Sequence, residues 1–213
     1  MIEAILWDND GVLVDTEEMF FAATRDALAR AGIELTREQY IQFSLTSGHS
    51  AFDRLEADGW TPERVLALRH ERDLAYAALL GSGCRPMDGV IETLELLKGK
   101  ARMAIVTTSL RKHFDIAHQC SELRAFFELI LAREDYHRSK PHPEPYLTAL
   151  QRMKVDPEQC VVIEDSARGL QSALAAGLRC IIVPNRITHG SSFEGATAVL
   201  SAIRELPGLL KTL

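Results

Sequence analysis

Near its start the chain reads Asp8-Asn9-Asp10-Gly11-Val12-Leu13-Val14-Asp15-Thr16, directly after the apolar run Ala4-Ile5-Leu6-Trp7. That run reads as a buried strand. Residues two apart on an extended chain point the same way, so Asp8 and Asp10 place two carboxylates in one small volume just beyond its end. Gly11 lets the backbone turn sharply there. Like charges so close together repel, and the pair calls for a shared proton or a cation. An oxygen-preferring dication such as Mg²⁺ meets that demand. The same four residues are also ordinary turn formers, so the rest of the chain must decide.

Two other apolar runs end in polar clusters. Met103-Ala104-Ile105-Val106 is followed by Thr107-Thr108-Ser109, and Cys160-Val161-Val162-Ile163 by Glu164-Asp165. These runs, with Glu128–Leu131 and Cys180–Val183, alternate with helical patterns over Asp88–Leu97, Lys112–Cys120, Pro143–Met153 and Ala167–Ala176. Repeated strand–helix units predict an α/β fold, a Rossmann-like parallel sheet covered by helices on both faces. Such sheets carry their site outside the carboxyl ends of the strands, where these polar clusters fall. Between the first strand and the second unit, residues 16–86 read as almost wholly helical and predict an inserted helical domain. The core is then formed by residues 1–15 and 87–213. At the start of the insert, Asp15-Thr16-Glu17-Glu18 predicts a capped helix start with Glu18 placed to close a capping box, Gly32 a helix end, and Thr36, Ser50 and Thr61-Pro62 further helix starts. Asp15 serves equally as a helix cap or as a site residue.

Composition narrows the class. The 213 residues are 46% hydrophobic and 25% charged, with a net charge of −6. That is an ordinary globular balance, and it lacks the basic face of a nucleic-acid binder. No apolar stretch has the length of a membrane span, and no signal-peptide pattern precedes the first strand. A cytoplasmic protein, monomeric or weakly dimeric, is expected. Cys84, Cys120, Cys160 and Cys180 have no metal-ligand spacing.

Taken together, these segments resemble the haloacid dehalogenase-like superfamily, in its subgroup with a helical cap after the first strand, near the β-phosphoglucomutases and phosphoglycolate phosphatases. The resemblance spans nearly the whole chain. It rests on Asp8–Val12 with Asp15-Thr16, on Ile105–Ser109, on Lys140 within Ser139–Tyr146, and on Ile163–Gly169 with Ala173–Gly177. It implies an enzyme that hydrolyses a small phosphorylated metabolite with Mg²⁺. Asp8 would form an aspartyl-phosphate, and Asp10 would act as acid and then base. Mg²⁺ would be held by Asp8, Asp165 and the Asp10 carbonyl, with Glu164 contributing directly or through water. Thr107, Thr108 and Lys140 would bind the phosphoryl group. Gly169 and Gly177 read as turn or packing glycines.

In the cap, Thr46-Ser47-Gly48-His49-Ser50 resembles the family's specificity loop, with Gly48, His49 and Ser50 as its candidate substrate contacts. His49 is either a substrate contact or a solvated histidine, and Arg54 either an anion ligand or a surface ion-pair member. The mutase pattern places a histidine at Phe20, an arginine at Ala51 and a lysine in the cap, none of which this chain has. That favours a phosphatase over a phosphomutase. A non-enzymatic binding module is the remaining alternative.

Overall fold

The computed structural model describes residues 2–119 and 121–213. Cys120, the expected end of one helix, lies outside them. Among the described residues six strands form one sheet: β1 (Ala4–Trp7), β2 (Arg102–Val106), β3 (Leu129–Leu131), β4 (Cys160–Glu164), β5 (Arg179–Ile182) and β6 (Ala198–Val199). Their order is β3-β2-β1-β4-β5-β6, and every pairing is parallel. β1 is central, with Ala4 registered on Arg102 at one side and on Cys160 at the other.

Alternate residues of each strand serve opposite faces, which explains why the strands are apolar throughout. Ile5, Trp7, Ile105, Val161 and Ile163 pack with Val90 and Leu94 of helix α5 (Val90–Leu97). Leu6, Ala104, Val106 and Val162 pack with Tyr146 and Leu150 of α7 (Glu144–Met153) and Leu170 of α8 (Ala167–Ala175). Burying each large side chain contributes about 1.5–3 kcal/mol. The expected α/β architecture is the one observed. β6 went unanticipated, because two residues at a sheet edge make no apolar run. The helix expected from Asp88 starts at Val90, after Gly89 turns the backbone at φ +81°. The one expected from Lys112 is α6, Arg111–Ala117.

The helical block has its own core. α1 (Glu17–Arg30), α2 (Arg37–Tyr40), a π-helical turn (Ile41–Thr46), α3 (Asp53–Ala57) and α4 (Pro62–Gly81) bury Phe21, Leu28, Tyr40, Phe52, Leu55 and Val65. Thr36 and Thr61 cap their helices as expected, accepting from the amides of Gln39 and Arg64; a cap is worth about 1 kcal/mol. Thr16 does not. Its hydroxyl donates to Asp10 instead, and Glu18 pairs with Arg37. The block is joined to the sheet by a narrow neck, where the Asp15 amide donates to Arg85 and the Met87 amide to Leu13. Asp15 itself is exposed and caps nothing.

Candidate active site

The carboxyl ends of β1, β2 and β4 converge on one pocket. Asp8 continues β1, its amide donating to the Ile163 carbonyl at 2.9 Å. Carboxylate oxygens of Asp8, Glu164 and Asp165 lie within 4.8 Å of one another. Lys140 is inserted between two of them. Its Nζ donates to Asp8 Oδ1 at 2.7 Å, to Glu164 Oε1 at 2.7 Å and to the Val106 carbonyl at 2.8 Å. Three bonds satisfy every proton of the ammonium group.

Burial sets the electrostatics. Desolvation pushes the Asp8 carboxyl up to about 7, opposed by Lys140 and assisted by Glu164 and Asp10. It pushes Asp165 well above the ordinary range, with Glu164 and Asp8 adding to it. For Glu164 the same burial is outweighed by Lys140, and its pKa stays low. For Lys140, burial is outweighed by Asp8 and Glu164, and the lysine stays charged. Two desolvated carboxyls beside an ionised third form an all-oxygen donor set that a hard dication fits.

Glu164 is the most fully engaged of the three. Tyr146 donates to Oε1 at 2.9 Å, and the Asp165 amide and the Ser166 hydroxyl donate to Oε2. Gly169 is a packing glycine, and what it packs on is this carboxylate, since a Cβ there would overlap it. Asp165 is steadied by Asn185, whose amide nitrogen donates to Oδ2 at 2.6 Å. Gly11, at φ +82°, has no room for a side chain against that same pair.

Asp10 sits under a ring of hydroxyls. Thr16 and Tyr76 donate to Oδ1 at 2.7 and 3.4 Å, and Thr107 and Ser109 to Oδ2 at 2.9 and 2.8 Å. Thr16 and Tyr76 belong to the helical block, so the two lobes meet at this carboxylate. Asn9, between the aspartates, faces the other way. It is fully buried, and its Oδ1 lies 2.7 Å from Nε2 of His118. Its carbonyl accepts from the amides of Leu13 and Val14, closing the turn.

A family model described as haloacid dehalogenase-like hydrolase matches residues 5–183. The chain belongs to that family. It is 32% identical to protein CbbY of Cereibacter sphaeroides over 98% of this chain and 96% of that protein. It is 29% identical to hexitol phosphatase B of Escherichia coli K12, over 96% and 94%. Among solved structures, a mutant of CbbY from Rhodobacter sphaeroides in complex with xylulose-(1,5)bisphosphate superposes with a TM-score of 0.82. It is 29% identical, with 97% of this chain and 96% of that one covered.

In this hydrolase the site opens into a cleft of about 400 Å³ between the sheet and the helical block. Asp10, Thr108 and Lys140 line it, as do Gly48, His49 and Ser50 of the helical block. Gly48 stands against Pro141, next to Lys140. Arg54 is the exception: it lies on the exposed outer face of α3, because Phe52 and Leu55 claim the inner one. The arginines lining the cleft are Arg69, Arg72, Arg133 and Arg168.

Several groups escaped the sequence reading. Tyr146 and Arg168 stand inside recognised motifs, and their place there was the available signal. Asn185, Tyr76 and the Glu17–Tyr40 pair left none. Tyr40 donates to Glu17 at 2.6 Å, and burial raises Glu17 to about 7 against the pull of that bond and of Arg168.

Proposed function

We propose that the protein is a Mg²⁺-dependent phosphatase acting on a small phosphorylated metabolite: a sugar phosphate, a polyol phosphate or a phosphoglycolate-like acid. The observation that carries this is Asp8, a buried carboxylate held by Lys140, which itself lines the polar cleft, with Asp10 on the same side of the chain. Asp8 attacks phosphorus and forms an aspartyl-phosphate while Asp10 protonates the departing alkoxide. Asp10 then takes a proton from the water that hydrolyses this intermediate. The Thr108 amide, and Lys140 and Thr107 once each exchanges one of its present bonds, donate to the phosphoryl oxygens, supplying the positioning and charge stabilisation that phosphoryl transfer needs.

Mg²⁺, when bound, offsets the negative charge of carboxylates and phosphoryl group. Asp8 and Asp165, with the Asp10 carbonyl, are the groups proposed to hold it. Glu164 would have to exchange one of its present bonds to join them, and otherwise serves to hold Lys140. The relatives' names, a hexitol phosphatase and a bisphosphate-bound CbbY, support a phosphorylated carbohydrate as substrate. Phosphatase is favoured over mutase because Phe20 and Ala51 line the cleft, and no lysine of the helical block does.

The test is phosphate release across a panel of phosphorylated metabolites, with Mg²⁺ and with chelator, beside Asp8→Asn. Release should require Mg²⁺ and fall by about 10³-fold or more in a variant that keeps its fold. Normal turnover by Asp8→Asn would overturn the nucleophile assignment. Isomer formation primed by a bisphosphate, in place of phosphate release, would make the protein a mutase.

A further inference from the structure

The cleft has a polar wall that the phosphoryl chemistry leaves unused. Of its four arginines, Arg69 is paired with Asp53 at 2.9 Å and Arg72 with Asp73 at 2.8 Å. Arg133 donates to the carbonyls of Tyr136 and His137, at 2.9 and 3.2 Å. Arg168 differs from all three. Among the described residues its guanidinium meets neither a carboxylate nor a carbonyl, only the Thr108 hydroxyl at 3.3 Å. Its buried Nε has no partner at all.

The cleft lining holds two more buried polar atoms without partners, Thr24 Oγ1 of α1 and His113 Nε2 of α6. Each such group carries a desolvation penalty when left unpaired. Native structures keep them few. Of the six such atoms among the described residues, three stand around this one cavity, on both lobes, the arrangement of a wall completed by what enters it. A guanidinium offers a planar fork of donors that matches a carboxylate or a phosphate.

We propose that the substrate carries a second anionic group besides the phosphoryl group that is cleaved, and that Arg168 holds this second anion. Hydroxyls along the intervening carbon chain pair with Thr24 and His113. The inference rests on the phosphatase reading for the nature of the substrate. Arg168 also faces the carboxylates of Glu17, Asp8 and Glu164 at longer range. A role as their counter-ion alone is the competing explanation, and it would treat every substrate alike.

A matched six-carbon series separates the two: sorbitol 6-phosphate, 6-phosphogluconate and sorbitol 1,6-bisphosphate. KM and kcat are measured for the Mg²⁺-loaded wild type and for Arg168→Gln and Arg168→Lys. Calorimetric affinities are measured in an Asp8→Asn background, where nothing turns over. The wild type should favour one of the two doubly anionic compounds over sorbitol 6-phosphate by about tenfold or more. Arg168→Gln should bring that ratio to within about twofold of unity through KM and affinity, and Arg168→Lys should restore part of it. Which compound is favoured tells carboxylate from phosphate. A wild-type ratio near one, or a ratio that survives Arg168→Gln, overturns the proposal. If no compound of this series is hydrolysed, the phosphatase reading is decided by the wider metabolite panel, and the calorimetric ratio still decides the role of Arg168.

Discussion

The two ends of the cleft follow opposite rules. At the strand ends, Lys140 spends all its protons on Asp8, Glu164 and Val106, and Glu164 is clasped by Tyr146, Asp165 and Ser166. At the wall toward the helical block, Thr24, His113 and Arg168 keep buried atoms without partners. The saturated end is rigid before any ligand arrives, which suits a group common to every substrate. The unsaturated wall is where a particular substrate gains binding energy that others cannot. One end is proposed to carry out the reaction, the other to select what reacts.

Lys140→Met strikes the saturated end hardest. It removes the cation between two buried carboxylates, and breaking such a buried pair typically costs about 3–5 kcal/mol. Urea denaturation should show that loss, and phosphate release should fall with it. A variant as stable as the wild type would mean that this end is not held by its charges.

A smaller effect, confined to acid, tests the support behind the site. Burial depresses the pKa of His118 to about 4 from an ordinary 6.5. The folded protein therefore binds fewer protons than the unfolded chain between these values. The stability gained by keeping His118 neutral is complete above pH 6.5 and is lost as pH falls toward 4, by an amount on the order of 3 kcal/mol. His118→Gln keeps a donor for Asn9 and cannot titrate. Its unfolding free energy should decline less steeply over that window, by the equivalent of one proton. Equal slopes would remove His118 from the acid response.

The smallest change expected is at Arg54. Arg54→Ala should alter stability by no more than about 0.5 kcal/mol and leave kcat/KM within about twofold, as exposed substitutions usually do. A tenfold loss would place Arg54 in the selecting wall and blur the contrast.

The sheet was legible because every strand but β6 carries an apolar run, and the runs of β1, β2 and β4 end in residues whose chemistry stands out beside them. Asp8, Asp10, Thr107, Glu164, Asp165 and Lys140 are placed by local sequence, and the fold brings them to one pocket. Their supports are placed by the fold alone. Asn185 reaches Asp165 from beyond β5, and Tyr76 reaches Asp10 from the far end of α4. Neither residue type nor local spacing announces such contacts. Thr16 shows how a correct local rule is overridden. It has the right type and position for a cap, but an aspartate with open lone pairs lies within reach and takes its hydroxyl. Arg54 shows the converse, since α3 is too short for periodicity to say which face turns inward.

The orientation of Asn9 has a consequence for how β1 can be built into the sheet. Along this strand one parity of residues supplies the carboxylates of the site and the other supplies an anchor against His118. Sliding β1 by a single residue would exchange them, pressing Asp8 and Asp10 into the apolar layer around His118 and Phe114 and leaving Asn9 in the cleft. Two desolvated carboxylates beside an imidazole that burial keeps neutral would be prohibitively unfavourable. The residues proposed to perform the chemistry therefore also favour one alignment of the central strand, since a slipped sheet would have to bury them.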